Sequence, residues 1–538
     1  MKEGSQLRDR MEQLRGFRQN WETRWQSISD HQLARQDFTN VEKHRAPRDS
    51  LIFDGTAMDS WNMLTNAMQS ILANVETNWI YLEVEGFDES ELEDEEIFWL
   101  EFAKERLLET FRSESGRFAV QFNETLGDFT GYGTCGIASM YDPALRGMRF
   151  SSRPLNEIFV DQDEHGIIDV VYREFKLNKR QALMSFPEMP QEVKDRLERA
   201  SNDEEFLWIQ SFEPHDEIEG KFQSQVVLAD GYTKHMPAVS EETLDELPLH
   251  VGRWRTDPGQ RYGTGPGVNA DAFARTLNSV VKDWITQSQM SVRPPMLVAD
   301  DGVVGVPSTM PGSFTTISAY HPGNQDPVRP MSVGGDFRVA DAEITRLQGS
   351  IRRAYLHDIL QITDSKELTA FHVQELTNRS QQWVAPVFQR TKVELVQPMV
   401  NRSLNQMIKM GAIPKPPEAL QEKGYRVVYV SPAQRATEIE QAELTAKSIE
   451  RIVAIAEAQP EVMDNIDFDY IVREGHRAFA ADPKALKTRR AVKEARERRA
   501  QQEQQQQQAD QMLSAEGQLA ALSGQADVAT ALNTLRRG

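Results

Sequence analysis

The sequence has one cysteine, Cys135, in 538 residues. A lone thiol can neither close an intramolecular disulfide nor supply a multi-thiolate zinc site, and it fits maturation in a reducing cytosol. Positive charge is also short: 61 Lys and Arg face 82 Asp and Glu, a formal net charge of −21. That balance argues against a broad basic face for clamping nucleic acid, which needs clustered Lys and Arg. Contact with DNA is expected to be local or transient. No window approaches 18 uncharged apolar residues, and the opening MKEGSQLRDR is charged where a signal peptide needs an apolar stretch. The expectation is a soluble, non-secreted chain without a membrane span.

Enzyme signatures are missing too. The ten histidines form no HxxxH pair and no HExxH, and no GxSxG elbow occurs. GYGTCG places Gly131, Gly133 and Gly136 in a GxGxxG pattern, but a helical run precedes it and a strand-like IASMY follows, the reverse of a dinucleotide fold. GTGPG at Gly263–Gly267 lacks the Lys and Ser/Thr of a P-loop, and Pro266 removes a backbone donor. Asp161, Asp163, Gly166 and Asp169 match four positions of a calcium loop, yet His165 and Tyr172 occupy two others, so a hairpin turn explains them better. No catalytic residue, cofactor or metal is expected.

What is present is enough apolar residue, 39%, to build real cores in two to four domains. Leu7, Met11, Leu14, Trp21, Trp25 and Ile28 recur at helical spacing and want a partner, either the chain's own body or a neighbouring subunit. Helical patterns follow around Trp61–Ile71, Ile97–Phe111 and Phe118–Phe129. Between the first two, Glu83–Glu96 holds nine acidic and no basic side chains, most simply a solvated loop or helix start. From Met140 to about Val251 short β-branched and aromatic runs predict strands, with a hairpin turn at Asp163–Gly166 and helical segments between Lys179 and Ala200 broken at Pro187 and Pro190. A helix is predicted over Ala270–Met290, with Phe273, Leu277, Val280, Val281, Trp284 and Ile285 on one face. Residues 291–336 then hold seven prolines and six glycines, which predicts edge strands and turns.

A second helix follows, marked by Ile344, Leu347, Ile351, Tyr355 and Ile359. After QITDSKEL comes a long helical stretch, about Thr369–Met410, kinked by Pro386 and Pro398. The strand YRVVYV, two helices at Thr437–Ala458 and about Asp464–Phe479, a basic helix at Lys484–Arg499 and a Gln-rich tail complete the chain. The basic run balances local charge on a solvated face, or meets nucleic acid or an acidic neighbour. The fold class is α+β, predominantly helical.

The Arg-Trp followed by PGQRYGTGP, the two helices around a Pro/Gly-rich insert, and the long helix ending in MGAIPKPP resemble, in this order, the portal (head-to-tail connector) family of tailed phages in its short-tailed podovirus branch. Gly259, Tyr262, Gly263, Gly265 and Pro266 hold the family's Gly-x-x-Tyr-Gly-x-Gly-Pro places, and Gln260 stands where an acidic residue is common. The resemblance implies a portal fold with wing, stem, clip and crown: residues 1–268 the N-terminal wing region, 269–290 the first stem helix, 291–336 the clip, 337–360 the second stem helix, 361–368 the tunnel loop, 369–435 the long wing helix and strand, 436–500 the crown or barrel helices and 501–538 the Gln-rich tail.

It further implies a dodecameric ring at the capsid vertex, assembled in the host cytoplasm. Its partners would be the terminase large subunit, tail adaptor or nozzle proteins, capsid and scaffolding proteins, and transiently double-stranded DNA, with no membrane. Twelve copies would carry on the order of −250 charges, so the channel would mostly repel phosphate, as suits a conduit. Candidate channel contacts are Lys282, Arg346, Arg352, Arg353 and Lys366, with burial at a subunit interface the alternative for each stem arginine, and candidate clip contacts are Arg293 and Arg329. The alternatives are another multimeric virion protein, such as an internal core or tail adaptor, and a metal-dependent hydrolase built on the Asp/Glu-rich segments.

Overall fold

The computed structural model describes residues 4–33, 38, 51–73, 75, 78–87, 92–230, 238–300, 308, 310–318, 328–331, 337–357, 386–429, 432–456, 460–479, 485–486 and 491–506. The chain divides into two compact units: residues 1–81, 103–415 and 427–432 form the larger, and 82–102, 416–426 and 433–538 the smaller.

The larger unit opens with α1 (Gly4–Ile28), which runs into a π-helical turn at Ser29–Leu33. Next come α2 (Thr56–Leu72), then β1 (Ile80–Val84) and α3 (Asp94–Arg112), each of which changes unit along its length, and α4 (Phe118–Tyr132). A three-stranded sheet joins β2 (Thr134–Asp142) to β3 (Gly147–Arg153) on one side. β9 (Leu249–Arg253) pairs on its other side. Between β3 and β9 the chain builds an antiparallel meander of β4 (Ile158–Gln162), β5 (Ile168–Asn178), β6 (Glu205–Pro214), β7 (Phe222–Leu228) and β8 (Ala238–Leu244). The β4–β5 turn is the expected hairpin, closed by Asp163 N–H to the Ile167 carbonyl, with Gly166 at a φ of 80°. Two short helices, α5 (Lys179–Ser185) and α6 (Gln191–Arg199), stand either side of Pro187 and Pro190. They bury Ala182, Val193 and Leu197 against Phe206, Trp208 and Val226 of the sheet.

The apolar stripe of α1 is spent within the chain. Leu7, Met11 and Leu14 pack on Phe159, Val170, Tyr172, Ile209 and Val227 of the meander, while Trp25 and Ile28 enter a second core with Tyr132, Leu155, Val251 and Tyr262. Of the two partners expected for that stripe, the chain's own body is the one found. Arg18, on the same helix, donates to the carbonyls of Asn156 and Ile158 at 2.9 and 3.0 Å, satisfying backbone that enters β4.

Helix α7 (Pro266–Val292) leaves this body and leads to a small mixed sheet of β10 (Met296–Asp300), β11 (Phe314–Ser318) and β12 (Val328–Pro330). β10 lies between the others, parallel to β11 and antiparallel to β12. This is the edge-strand module that the prolines and glycines predict. Helix α8 (Phe337–Ala354) then returns along α7, burying Leu347, Ile351 and Tyr355. Residues 386–391 are helical and pass through a π-helical turn, Lys392–Val396, into α9 (Gln397–Lys409), which ends before Gly411 at a φ of 76°. Pro398 has no N–H for the intrahelical ladder, and the widened turn just before it is the form taken by the expected kink. QITDSKEL and the start of this stretch lie outside the described residues.

The smaller unit contains α10 (Glu418–Lys423), α11 (Pro432–Ala456), α12 (Phe468–Ala478) and a helical run over 491–506. β13 (Tyr425–Tyr429), which also changes unit along its length, pairs with β1. The acidic segment 83–96 is not wholly solvated as expected: Glu96 is buried and paired with Lys423 at 2.8 Å. Burial alone would push its carboxyl up, but Lys423 and the Glu93 N–H bring it below the ordinary glutamate range. In the basic run, Arg496 meets Asp469 through both oxygens at 2.6 Å, the local charge balance anticipated for that stretch. No helix among the described residues is long and apolar enough to cross a membrane.

Candidate functional site

The two glycine-rich segments, 130 residues apart in sequence, pack against each other backbone to backbone. Helix α4 ends at Tyr132, and Gly133, left-handed at a φ of 88°, caps it with its N–H on the Phe129 carbonyl. The Gly133 carbonyl accepts from Trp254 N–H at 2.9 Å, and Gly263 N–H donates to Thr134 Oγ1 at 2.8 Å. A Cβ built on Gly263 would lie 2.2 Å from the Gly133 oxygen, one on Gly265 2.7 Å from the Gly133 Cα, and one on Gly267 2.2 Å from the Gly131 oxygen. Only glycines can approach this closely. Each segment therefore turns its glycine backbone towards the other at this crossing. Pro266 stands at the first position of α7, where its missing N–H costs nothing.

The rest of the motif ties this crossing into the body. Gly259, at a φ of 81°, makes the turn that brings Gln260 N–H to the Asp257 carbonyl. Gln260, where an acid is common in the resembling family, uses its amide to close the same turn through contacts with Asp257 at 3.3 Å. Tyr262 is buried edge-on against Trp25 at 5.2 Å, and its hydroxyl accepts from Val160 N–H. Burial pushes its phenol up to about 12. Trp254 packs on Phe129 at 5.1 Å.

Arg253, 2% exposed, donates to both oxygens of Glu394, to Gln162 and to the carbonyls of Gly166 and Gln260. One guanidinium therefore joins β9, the β4–β5 hairpin, the motif loop and the π-helical turn. Asp161, one of the supposed calcium ligands, is held by Arg10 at 2.7 Å and Arg261 at 2.5 Å. Burial alone would raise its carboxyl, but these guanidiniums hold it below the ordinary aspartate range.

The foot of the α7–α8 pair is pinned by polar groups of which helical spacing in the sequence marks only Tyr355. Tyr355 donates to Gln32 at 2.7 Å, and Gln32 donates to the Gly267 carbonyl at 3.0 Å. Asn278 accepts from the N–H groups of Phe53 and Asp54 and donates to the His31 carbonyl, while Gln348 reaches Asp54 at 2.8 Å. Gln32, Asn278, Glu394 and Tyr355 were invisible as a group because their partners lie up to 323 residues away. A buried arginine at the end of a strand is the one signal that calls for an acid such as Glu394.

The candidate contact residues are spread along the pair rather than gathered in a cleft. Lys282 is exposed, with Nζ 5.8 Å from the Phe53 ring centre. Arg346 is exposed and held by its own Glu343 at 2.5 Å. Arg352 and Arg353 are exposed on the last turn of α8, and Arg293 is exposed just past α7. Arg329 lies in β12 opposite Leu297. Lys366 falls outside the described residues.

The most enzyme-like arrangement is Ser139 Oγ at 2.8 Å from His250 Nε2. Both residues are buried, and burial, with Arg402 adding, pushes the imidazole down to about 3, so it offers neither substrate access nor a useful base at neutral pH. Among the described residues no group of three or more His, Cys, Asp or Glu could hold a metal ion.

This chain is 23% identical over 517 residues to a protein described as "Portal protein" from Salmonella phage epsilon15, covering 92% of this chain and 91% of that one. It is 24% identical over 491 residues to a "Probable portal protein" from Bordetella phage BPP-1, covering 86% and 85%. Among solved structures, a chain described as the neck of an empty GTA particle computed with C6 symmetry is 11% identical, covering 72% of this chain and 84% of that one at a TM-score of 0.33, a likeness from which nothing further follows. The family model described as Bacteriophage head to tail connecting protein matches residues 4–486. The chain belongs to that family.

Proposed function

We propose that this protein is a portal subunit, one of twelve in a closed ring through which duplex DNA enters the capsid and later leaves it. The observation that carries this reading is the α7–α8 rod. A 27-residue helix, about 40 Å long at 1.5 Å per residue, is rooted in a rigid glycine crossing and carries a small sheet at its far end. It keeps large apolar side chains, Phe273 at 37% and Trp284 at 38%, exposed along its length. A rod with unspent apolar surface suits a wall made of repeated copies.

In this reading residues 269–290 and 337–360 are the stem, 291–336 the clip that meets the terminase large subunit and then the tail adaptor or nozzle, and 361–368 the tunnel loop. Residues 1–268 with 369–435 are the wing, 436–500 the crown and 501–538 the tail beyond it. The ring sits at the capsid vertex beside capsid and scaffolding proteins, having assembled in the host cytoplasm. ATP hydrolysis belongs to the motor, and this chain supplies a passive passage. Its exposed stem cations Lys282, Arg346, Arg352 and Arg353, together with Lys366, are the candidate DNA contacts, and Arg293 and Arg329 the candidate clip contacts.

Electron microscopy and light scattering of the purified full-length protein test this. Closed rings with a central hole wide enough for a duplex are expected; a monomer or an open filament overturns it.

A further inference from the structure

The meander changes character where α1 begins. Under α1 its face is apolar, Phe159, Val170, Tyr172, Ile209 and Val227 receiving Leu7, Met11 and Leu14. The pairing register sets Ser211 opposite Gln225, and Gln225 opposite Glu241. Side chains alternate along a strand, so Ser211, Glu213, Gln225 and Glu241 continue the face that carries Ile209 and Val227. There the sheet and Leu7 line a cavity of about 50 Å³, which has room for more than one water.

The lining is acidic. Glu213, Glu241 and Glu242 belong to it, no lysine or arginine does, and Leu7 is its one apolar member. Its hydrogen bonds are spent on its own acceptors. Tyr172 donates to Glu213 at 2.9 Å, the Gln225 amide to Glu241 at 2.9 Å, and the Ser211 hydroxyl to the Gln225 main-chain carbonyl at 3.3 Å. His215 accepts at Nδ1 from the N–H groups of Glu217 and Ile218, which puts its proton on Nε2 and leaves the ring neutral. Gln225 is only 8% exposed, yet its side-chain carbonyl has no donor among the described residues. A buried acceptor of this kind calls for a donor.

Charge and spacing select the donor. Water supplies N–H-like donors without charge, whereas three carboxylates favour a cation. The amino end of α1 brings roughly half a positive charge, too little to balance them. A metal ion needs its oxygens about 2.0–2.6 Å away, and among the described residues no three His, Cys, Asp or Glu side chains could hold one. An ammonium takes each acceptor along its own N–H at about 2.7–3.2 Å, so its acceptors can stand further apart.

We propose that this cavity takes a primary alkylammonium group, its N–H donors on the Gln225 side-chain carbonyl and Glu241, with the charge of Glu213 beside them and its methylenes along Leu7. An alkyl stem on apolar surface with its charged head on acids is the way such a group is ordinarily held. The chemistry fits a free aliphatic diamine or the lysine side chain of a partner protein. All of the site lies within one chain, so it goes beyond the portal reading and does not depend on it.

Calorimetric titration of the full-length protein with n-butylammonium chloride at fixed ionic strength should show saturable binding. Tetramethylammonium, equal in charge but without an N–H, should not bind. Glu241→Gln changes an exposed side chain and should leave the fold intact while weakening n-butylammonium about tenfold, the loss of one hydrogen bond to a charged group. Gln225→Met, which removes the buried carbonyl, should weaken it too. Two further ligands separate the sources. 1,4-Diaminobutane binding more tightly than n-butylammonium marks a free diamine; Nα-acetyl-lysine N-methylamide binding as tightly, with the diamine no better, marks a lysine. Equal titration curves for n-butylammonium and tetramethylammonium, or undiminished binding to Glu241→Gln, overturn the ammonium site whether or not the protein forms rings. A protein that forms no rings but binds n-butylammonium overturns the portal reading alone.

Discussion

At the scale of single residues, the decisive groups are those with no room or no water. Gly265 has an ordinary extended φ of −99°, so its requirement is for space, not for a special torsion. Gly265→Val should cost about 3 kcal/mol, the upper part of the usual range for overpacking. It should appear as a lower thermal midpoint and lost rings; normal rings with altered nucleotide binding would show that the turn has been misread. His250 gives a separate handle. Its imidazole is held neutral down to about 3 in the folded chain, against 6.5 for the free group. Between those values the unfolded chain binds one more proton, so folding stability falls as pH drops from about 6.5 towards 3. Replacing it by glutamine, which can still bond Ser139, should flatten the pH dependence of urea unfolding in that window. An unchanged slope there would mean that the histidine is not held neutral.

At the scale of elements, the helices were readable because their apolar stripes and stop signals agree. α7, α8, and the break between α5 and α6 follow from spacing and proline placement. Three strands did not announce themselves. The edge strands β3 and β8 bury few large apolar side chains, and β8 carries Glu241 and Glu242. β6 presents Phe206 and Trp208 to one core and Ile209 to another, so it lacks a clean period of two. The motif's glycines were legible as a turn, but not their contact with Gly131 and Gly133, because backbone packing leaves no periodic trace. Arg253 was visible and its acid was not. Glu394→Ala should strand a buried guanidinium and cost about 3–5 kcal/mol, whereas Glu394→Gln, which keeps an acceptor for Arg253, should cost less. Comparing thermal melts of the two checks this, and equal losses would argue against an ion pair at the joint between β9 and the π-helical turn.

At the scale of the whole molecule, charge and assembly pull against each other. Each copy carries −21, so closing a ring gathers like charge that salt screens, with a Debye length of about 30 Å at 0.01 M and 8 Å at 0.15 M. Raising ionic strength over that range should shift the protein from free subunits towards rings in light scattering; the opposite trend would mean that attraction between opposite charges on neighbouring copies outweighs the net repulsion. The same scale shows how differently two glycine sites can be repaired. A Cβ on Gly131 meets the end of a side chain, Leu33 Cδ1 at 2.9 Å, so loss there is open to second-site reversion by a smaller residue at position 33. At the crossing of Gly133 with Gly263 and Gly265, each glycine faces main chain, which has nothing to trim. Damage there is irreparable except by restoring the glycine itself, so a suppressor screen begun at Gly265 should return only true revertants.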